Sequence, residues 1–547
     1  VGRDAEIDLR GTLALTGGGF IGSLAAGTGE AADLDIRSHD LVIGDYSLIA
    51  SVSYGSAKGG ALHITTDRLD IQGGAIRVWS GERDMPGEGG GGHLRVEARE
   101  IAMADSGTIS ANTYGPGHGG DIEIAVGSLS LSTASSIGTT SEGAGTAGNI
   151  RIHADTIDMS GELLFGLIPF PSQIASDAMD AGGAGDILLE AREIGMHVAA
   201  MIGSRTLGSG SAGIITIKAA DVLRMDGRSS IAAVTDGRVL GADAGSIDIR
   251  AHEVSLVGDG VGETGNANIS TSAYRVGNAG PLQIVADRLT LRDGANVTSS
   301  GSGDASGGPI HIHARNLQLF EGYIDSSAFD QGKGGTIAIE AGSALLDGGF
   351  SMITSRVRSG TGRAGDIEMR GGELRLVNEA SLSSSTLAGG RGGSIDIDVD
   401  RLEVRTAEIS SKSLATPNGG DAGSVAARAR EILLSEFGGI STSTRGSGEG
   451  GTIHLNAEIL TLETSGNVTA ETQGSGSGGR IDIRAGSLSL SQGSRISTEA
   501  TTSGAAGDIE ISSTAGGIWI GGQSRVSSSS AYGAAGSVTL LAASRID

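Results

Sequence analysis

Gly451–Gly478, GTIHLNAEILTLETSGNVTAETQGSGSG, is followed without a break by Gly479–Gly507, GRIDIRAGSLSLSQGSRISTEATTSGAAG. The second stretch repeats the first at an offset of 28: Ile453 and Leu455 fall on Ile481 and Ile483, Leu460 and Leu462 on Leu488 and Leu490, and Val468 on Ile496. Alternating apolar residues in three short runs predict three short strands per copy, because period-two spacing places one set of side chains on one face. A helix would need a 3.6-residue period, and none is present.

The pattern extends both ways. Taking the first apolar residue of the opening strand as a marker, copies begin at Ile7, Leu34, Leu62, Leu94, Ile122, Ile150, Ile187, Ile215, Ile247, Leu282, Ile310, Ile337, Ile367, Ile395, Val425, Ile453, Ile481, Ile509 and Val538. Residues 1–547 therefore read as a single parallel β-helix, a β-solenoid of about 19 turns with three strands each, in which Ile, Leu and Val point inward. Turns about 4.8 Å apart would make a rod of roughly 90 Å. Small residues at inward positions of the third strand (Ala111, Thr139, Thr442, Thr498) would narrow the coil at a corner. Glycine-rich closures such as 115–120 and 474–479 would turn that corner with positive φ angles.

Composition narrows the chemistry. A formal net charge of −25 leaves no basic surface for phosphates and argues against nucleic acid. With no cysteine, neither disulfides nor thiolate metal sites can form. The longest apolar run, Leu163–Phe170 (LLFGLIPF), is too short to span a bilayer and is broken by Gly and Pro. The opening VGRDAEIDL has neither an initiator Met nor a charged-then-apolar leader, so any export signal is expected to have been removed or to lie outside this chain. Neither end shows a polar cap, which reads as a slice of a longer repeat shaft.

Departures from the 28-residue period locate decoration. Insertions at 162–172 and 258–267 leave the corner between the second and third strands, and ERDMPGEGGGG lengthens the closure of the Leu62 copy. Aromatic residues are only 3% of the chain, so their placement is informative. Alternation turns Tyr54, Trp79 and Tyr114 outward on three consecutive turns, a platform suited to sugar rings or an apolar partner. Tyr274 and Phe329 fall in the equivalent column. Leu164, Phe165 and Phe170 of the first insertion complete the candidate partner surface.

Repeats of the form GxIxIxAxxLxLxxGxxIxxxTxGxGxxG, clearest over 94–151 and 451–511, resemble the shafts of filamentous-haemagglutinin-like exoproteins, the secreted partners of two-partner secretion in Gram-negative bacteria. The resemblance implies a right-handed helix, export through an outer-membrane pore, and a role in adhesion or as a surface filament. A host-cell, glycan or matrix surface is the expected partner; a competing expectation is a self-assembling filament or sheath subunit whose exposed terminal strands dock head to tail. The NPNG-like secretion motif and an RGD triplet are not found in this sequence.

Catalysis is weighed on the outward column of the first strand: Asp8, Asp35, His63, Arg95, Glu123 and Arg151, then Asp396, Ala426, His454, Asp482 and Glu510. Asp482 and Glu510 with Arg484 are the strongest acid–base arrangement; Asp396, Asp398 and Asp400 come second, as a cation site. His311 and His313 share a strand without an identifiable carboxylate partner. A solvated face of mixed charge explains the column better, so neither catalysis, metal nor cofactor is expected.

Overall fold

A computed structural model describes residues 4–82, 85–164, 168–236, 242–261, 265–275 and 277–547; side chains at 86, 162–164 and 168–169 are left aside. Among these residues there is no helix, and parallel strands stack as a β-solenoid of about 18 turns of about 28 residues. Packing divides the chain into two units, one running essentially to Gln283 and the other from Ile284. Each is built from the same coil.

In the first unit, Leu94–Ala104 and Thr108–Thr113 form one coil, and Ile122–Leu131 with Ser136–Ser141 form the next. In the second, Thr452–Leu462 and Asn467–Thr472 are followed by Ile481–Leu490 and Arg495–Ala500. The predicted register holds: Ile453 pairs with Ile481, Leu460 with Leu488 and Val468 with Ile496. In most coils the first two strands run on as one continuous strand with a bend; Ala5–Asp8 and Thr12–Leu15, and Ile509–Ser513 and Ile518–Ile520, stay separate. In Ile481–Leu490 the buried residues are 481, 483 and 485, then 488 and 490, so the inward parity changes once in mid-strand. That single change gives the coil its second face, and the shorter strand supplies the third.

At the amino end one marker moves. Leu34 pairs with Ala5 and Ile36 with Ile7, so Glu6 stands opposite Asp35 and Asp8 opposite Arg37. The shift of two residues preserves which face is inward, and alanine at the true first position hides it from a search for large apolar residues.

The closures work differently from the expectation. No positive φ occurs within 115–120 or 474–479. Those glycines are required by proximity: a Cβ on Gly117 would lie 2.5 Å from the Gly90 nitrogen, and one on Gly476 1.9 Å from the Gly448 carbonyl oxygen. Positive φ does occur in other closures, at Gly55, Gly90, Gly303 and Gly360, and it recurs at the corner between the second and third strands, where it often falls on paired non-glycine residues. Asp105 and Ser106 (51° and 66°) and Thr133 and Ala134 (47° and 61°) show it in the first unit, Glu436 and Phe437 (50° and 67°) in the second. Each corner is held by the next coil, as in Ser106 N to Thr133 O at 2.9 Å and Phe437 N to Thr464 O at 3.1 Å.

Small inward residues of the third strand face these glycines, and most of their hydroxyls bond to them. Thr139 Oγ1 donates to Gly148 O at 2.7 Å, Ser204 Oγ accepts from Gly213 N at 2.7 Å, and Thr498 Oγ1 donates to Gly507 O at 2.6 Å. A hydroxyl one side chain long therefore satisfies closure backbone that would otherwise be buried without a partner. A second clamp precedes several opening strands, where an Asp carboxylate accepts the amide of the next coil: Asp121 from Asn149, Asp366 from Ser394, and Asp508 from Ser537, at 2.7–2.8 Å.

Candidate functional site

The aromatic cluster rests on Leu48–Gly55, Ala75–Glu82 and Thr108–Thr113, which are paired in parallel. Tyr54, Trp79 and Tyr114 do lie on the outer side, each half-buried. They do not form one column. Trp79 pairs with Val52 and Asn112, whereas Ser80 pairs with Ser53 and Thr113, which sets Tyr54 and Tyr114 on either side of Gly81. Alternation gives the side of the strand and not the place along it: Trp79 follows Ile76 by three residues, whereas Tyr54 follows Ile49 and Tyr114 follows Ile109 by five.

The cluster is polar at its centre. Tyr54 Oη donates to Glu82 Oε1 at 2.7 Å, and the Trp79 indole pulls the phenol the opposite way. Its bond to Glu82, with burial secondary, raises the Tyr54 phenol above the ordinary tyrosine value. Glu82 is placed by the lengthened closure, where Gly81 and Glu82 pair antiparallel with Pro86 and Met85. The sequence reading found the loop and the rings but not their link, since Glu82 lies beyond the end of the repeat.

The first insertion does leave the expected corner. Glu162–Leu164 pairs antiparallel with Ile168–Phe170, and Ser172 Oγ closes the base by donating to Ser160 O at 2.8 Å. Phe170 is 44% exposed. The backbone of Leu164 belongs to the hairpin, while Phe165 lies outside the described residues. In the second insertion Asp259 N donates to Asn266 Oδ1 at 2.8 Å.

The charged column is largely as read, with closer pairing. Asp35 lies 3.3 Å from His63, and Arg95 lies 3.2 Å from Glu123. In the second unit, His454, Asp482, Arg484 and Glu510 line a shallow groove with Arg480. Arg480, not Arg484, binds the acid pair: its Nε donates to both Asp482 oxygens at 2.8 and 2.9 Å, and its Nη2 to Glu510 at 2.9 Å. Hydrogen bonding to Asp482 raises the Arg480 guanidinium further. Both carboxylates are thus engaged by one permanent cation, with His454 3.2 Å from Asp482, an arrangement that ties three successive coils together. Arg480 was overlooked because it precedes the strand.

Asp398 and Asp400 border a neighbouring groove along the strand bend, with Arg428, Arg430, Asn456 and Glu458; Asp400 is 3.2 Å from Arg430. His313 does have a carboxylate partner, Glu340 of the next coil, at 3.2 Å. No group of three or more His, Cys, Asp or Glu side chains suited to a metal ion occurs among the described residues.

Tyr46 and Phe437, 92% and 73% exposed, were missed altogether. Both occupy left-handed corner positions, and each follows a carboxylate (Asp45, Glu436) directly after the second strand, the signal that could have found them. Compared with known protein families, curated proteins and solved structures, the chain matches none.

Proposed function

We propose that this chain is a structural or adhesive shaft that presents binding surfaces from a repetitive scaffold. One observation carries the reading. Inward positions are filled alike coil after coil, by aliphatic residues, a short hydroxyl and glycine, while outward positions change from coil to coil among charges, hydroxyls and half-exposed rings. In such a repeat the interior supplies stability and the exterior is free to carry recognition.

The resemblance to filamentous-haemagglutinin-like exoproteins supports placing it outside a Gram-negative cell, exported through an outer-membrane pore by a region not in this chain. A host-cell, glycan or matrix surface is the partner under this reading, and no catalysis is assigned. Purified chain added to epithelial cells and to immobilised matrix and glycans tests it directly. Saturable attachment, reduced by substitutions at outward residues that leave the β-sheet circular dichroism intact, is the expected result. Attachment to none of these surfaces would overturn the adhesive reading.

A further inference from the structure

The second unit concentrates unusual chemistry on the outer side of its short strands. Four of the chain's aromatic residues, Phe320, Tyr323, Phe329 and Phe350, fall within 31 positions. Tyr323–Asp325, Met352–Val357 and Ser381–Thr386 stack in register, so that Tyr323 stands opposite Met352 and Thr354 between Asp325 and Ser383. Arg356 and Arg358 project from the middle strand of this face. Many arginines of this unit, among them Arg363, Arg375, Arg391 and Arg430, have a carboxylate within 4 Å.

Neither Arg356 nor Arg358 has one among the described residues. Arg356 Nη2 rests 3.8 Å from the Met352 sulfur, and its buried Nε has no hydrogen-bond partner. The Arg358 guanidinium lies 4.8 Å over the Phe329 ring. The nearby Asp325 is already engaged, its Oδ1 accepting from Ser327 Oγ and from Thr354 Oγ1 at 2.6 Å. Phe329 and Leu387, 38% and 46% exposed, border the pair.

We propose that this face binds an acidic polysaccharide, with Arg356 and Arg358 receiving its carboxylate or sulfate groups and Met352, Phe329 and Leu387 supplying the apolar floor for its rings. Guanidinium forks suit planar or tetrahedral oxyanions, and the apolar surface beside them suits the C–H faces of sugars. In a chain of net charge −25, two adjacent cations with no carboxylate within 4 Å, and with only Asp325 acting on Arg356 from farther off, are complementary to an anion from elsewhere. Burial, the largest influence, holds the Arg356 guanidinium below its ordinary value against the opposing pull of Asp325, with Arg358 adding to the lowering. A polysaccharide fits better than an acidic peptide strand. A peptide adding to a sheet needs an open edge, and here the strands on both sides of Met352–Val357 already occupy the ladder.

This inference rests on the adhesive reading and names a ligand class for it. The test is calorimetry of the full chain with polygalacturonate and dextran sulfate, with neutral dextran and polyglutamate as counterparts. Binding of either acidic polysaccharide, but not of dextran or polyglutamate, is expected. The R356Q/R358Q double variant should weaken it at least about tenfold, with Arg525→Gln unchanged. Arg358→Lys, which keeps the charge but loses the fork, should weaken it too, and serves if the double variant misfolds. Equal binding of dextran or polyglutamate, or an unaffected double variant, overturns the proposal. Attachment to cells without polyanion binding would sink this inference alone; polyanion binding without attachment to any surface would sink the adhesive reading alone.

Discussion

Gly479 packs directly against Gly451: a methyl group built on its Cα would stand 1.9 Å from the Gly451 carbonyl oxygen. Gly507 stands against Gly479 in the same way, at 2.0 Å. Because the obstacle is backbone, no side-chain rotation relieves it. Gly479→Ala should destabilise its coil by about 1–3 kcal/mol or more, the range for overpacking. Gly11→Ala, with nothing within 4 Å, should be silent. Amide exchange is the suitable measurement, since repeat arrays open locally. Faster exchange across 451–507, with 94–151 unchanged, is expected.

The inward and outward residues of one strand should respond differently. Ile481 is fully buried, and Ile481→Ala should cost about 2–5 kcal/mol. Its neighbour Asp482 is in an exposed ion-pair network, and Asp482→Ala should cost about 1 kcal/mol or less. Chemical denaturation of both variants checks the difference; comparable losses would contradict the assigned faces.

Acid should loosen the carboxylate clamps. The backbone amide of Ser537, and then its hydroxyl, hold Asp508 below the usual aspartate value. A depressed folded pKa stabilises above the ordinary aspartate range and is lost as pH falls through the folded value. Amide exchange at Ser537 should therefore quicken below about pH 4. Asp508→Asn keeps an acceptor oxygen without a titrating group and should abolish that dependence.

Asp177 carries the opposite sign. Burial, the largest cause, raises its pKa despite Arg205 at 3.3 Å. An ionised carboxylate there opposes folding at neutral pH, and the penalty fades as pH falls toward its protonation. Asp177→Asn should raise the melting temperature at pH 7 and converge with the parent near pH 4. A variant less stable at pH 7 than at pH 4, relative to the parent, would refute the assignment.

The aromatic cluster has a spectroscopic handle. In a Trp519→Phe background Trp79 is the remaining indole, and it acts on the Tyr54 phenol, which bonds to Glu82. Tyr54→Phe should shift Trp79 emission and cost about 1 kcal/mol, and Glu82→Gln should give a smaller shift. Unchanged emission in both would mean that the bond between Tyr54 and Glu82 is not made in solution.

Period and alternation made the coil legible down to single pairs such as Ile453 and Ile481. What they could not convey was the reason for each glycine. A tight turn and a close approach both select glycine, and only coordinates separate Gly476, excluded from bearing a Cβ by Gly448, from a residue needing positive φ. The true left-handed corner escaped because Glu436 and Phe437 are atypical residues for it. Among surface residues, those inside strands (Tyr54, His454, Asp482) were found by alternation. Glu82 and Arg480, which decide what those residues bond to, lie in irregular segments where alternation gives no direction. Arg356 and Arg358 were readable as outward but not as lacking a close carboxylate, which depends on neighbouring coils.

The stacked glycines also bear on how such a chain changes over time. Gly451, Gly479 and Gly507 present interchangeable surfaces, so excising 451–478 would bring Gly423 and Gly479 together across a junction like the one each has now. Genetic loss or duplication of one whole period would keep these contacts where loss of a few residues would not, so the number of coils is a quantity that recombination can tune.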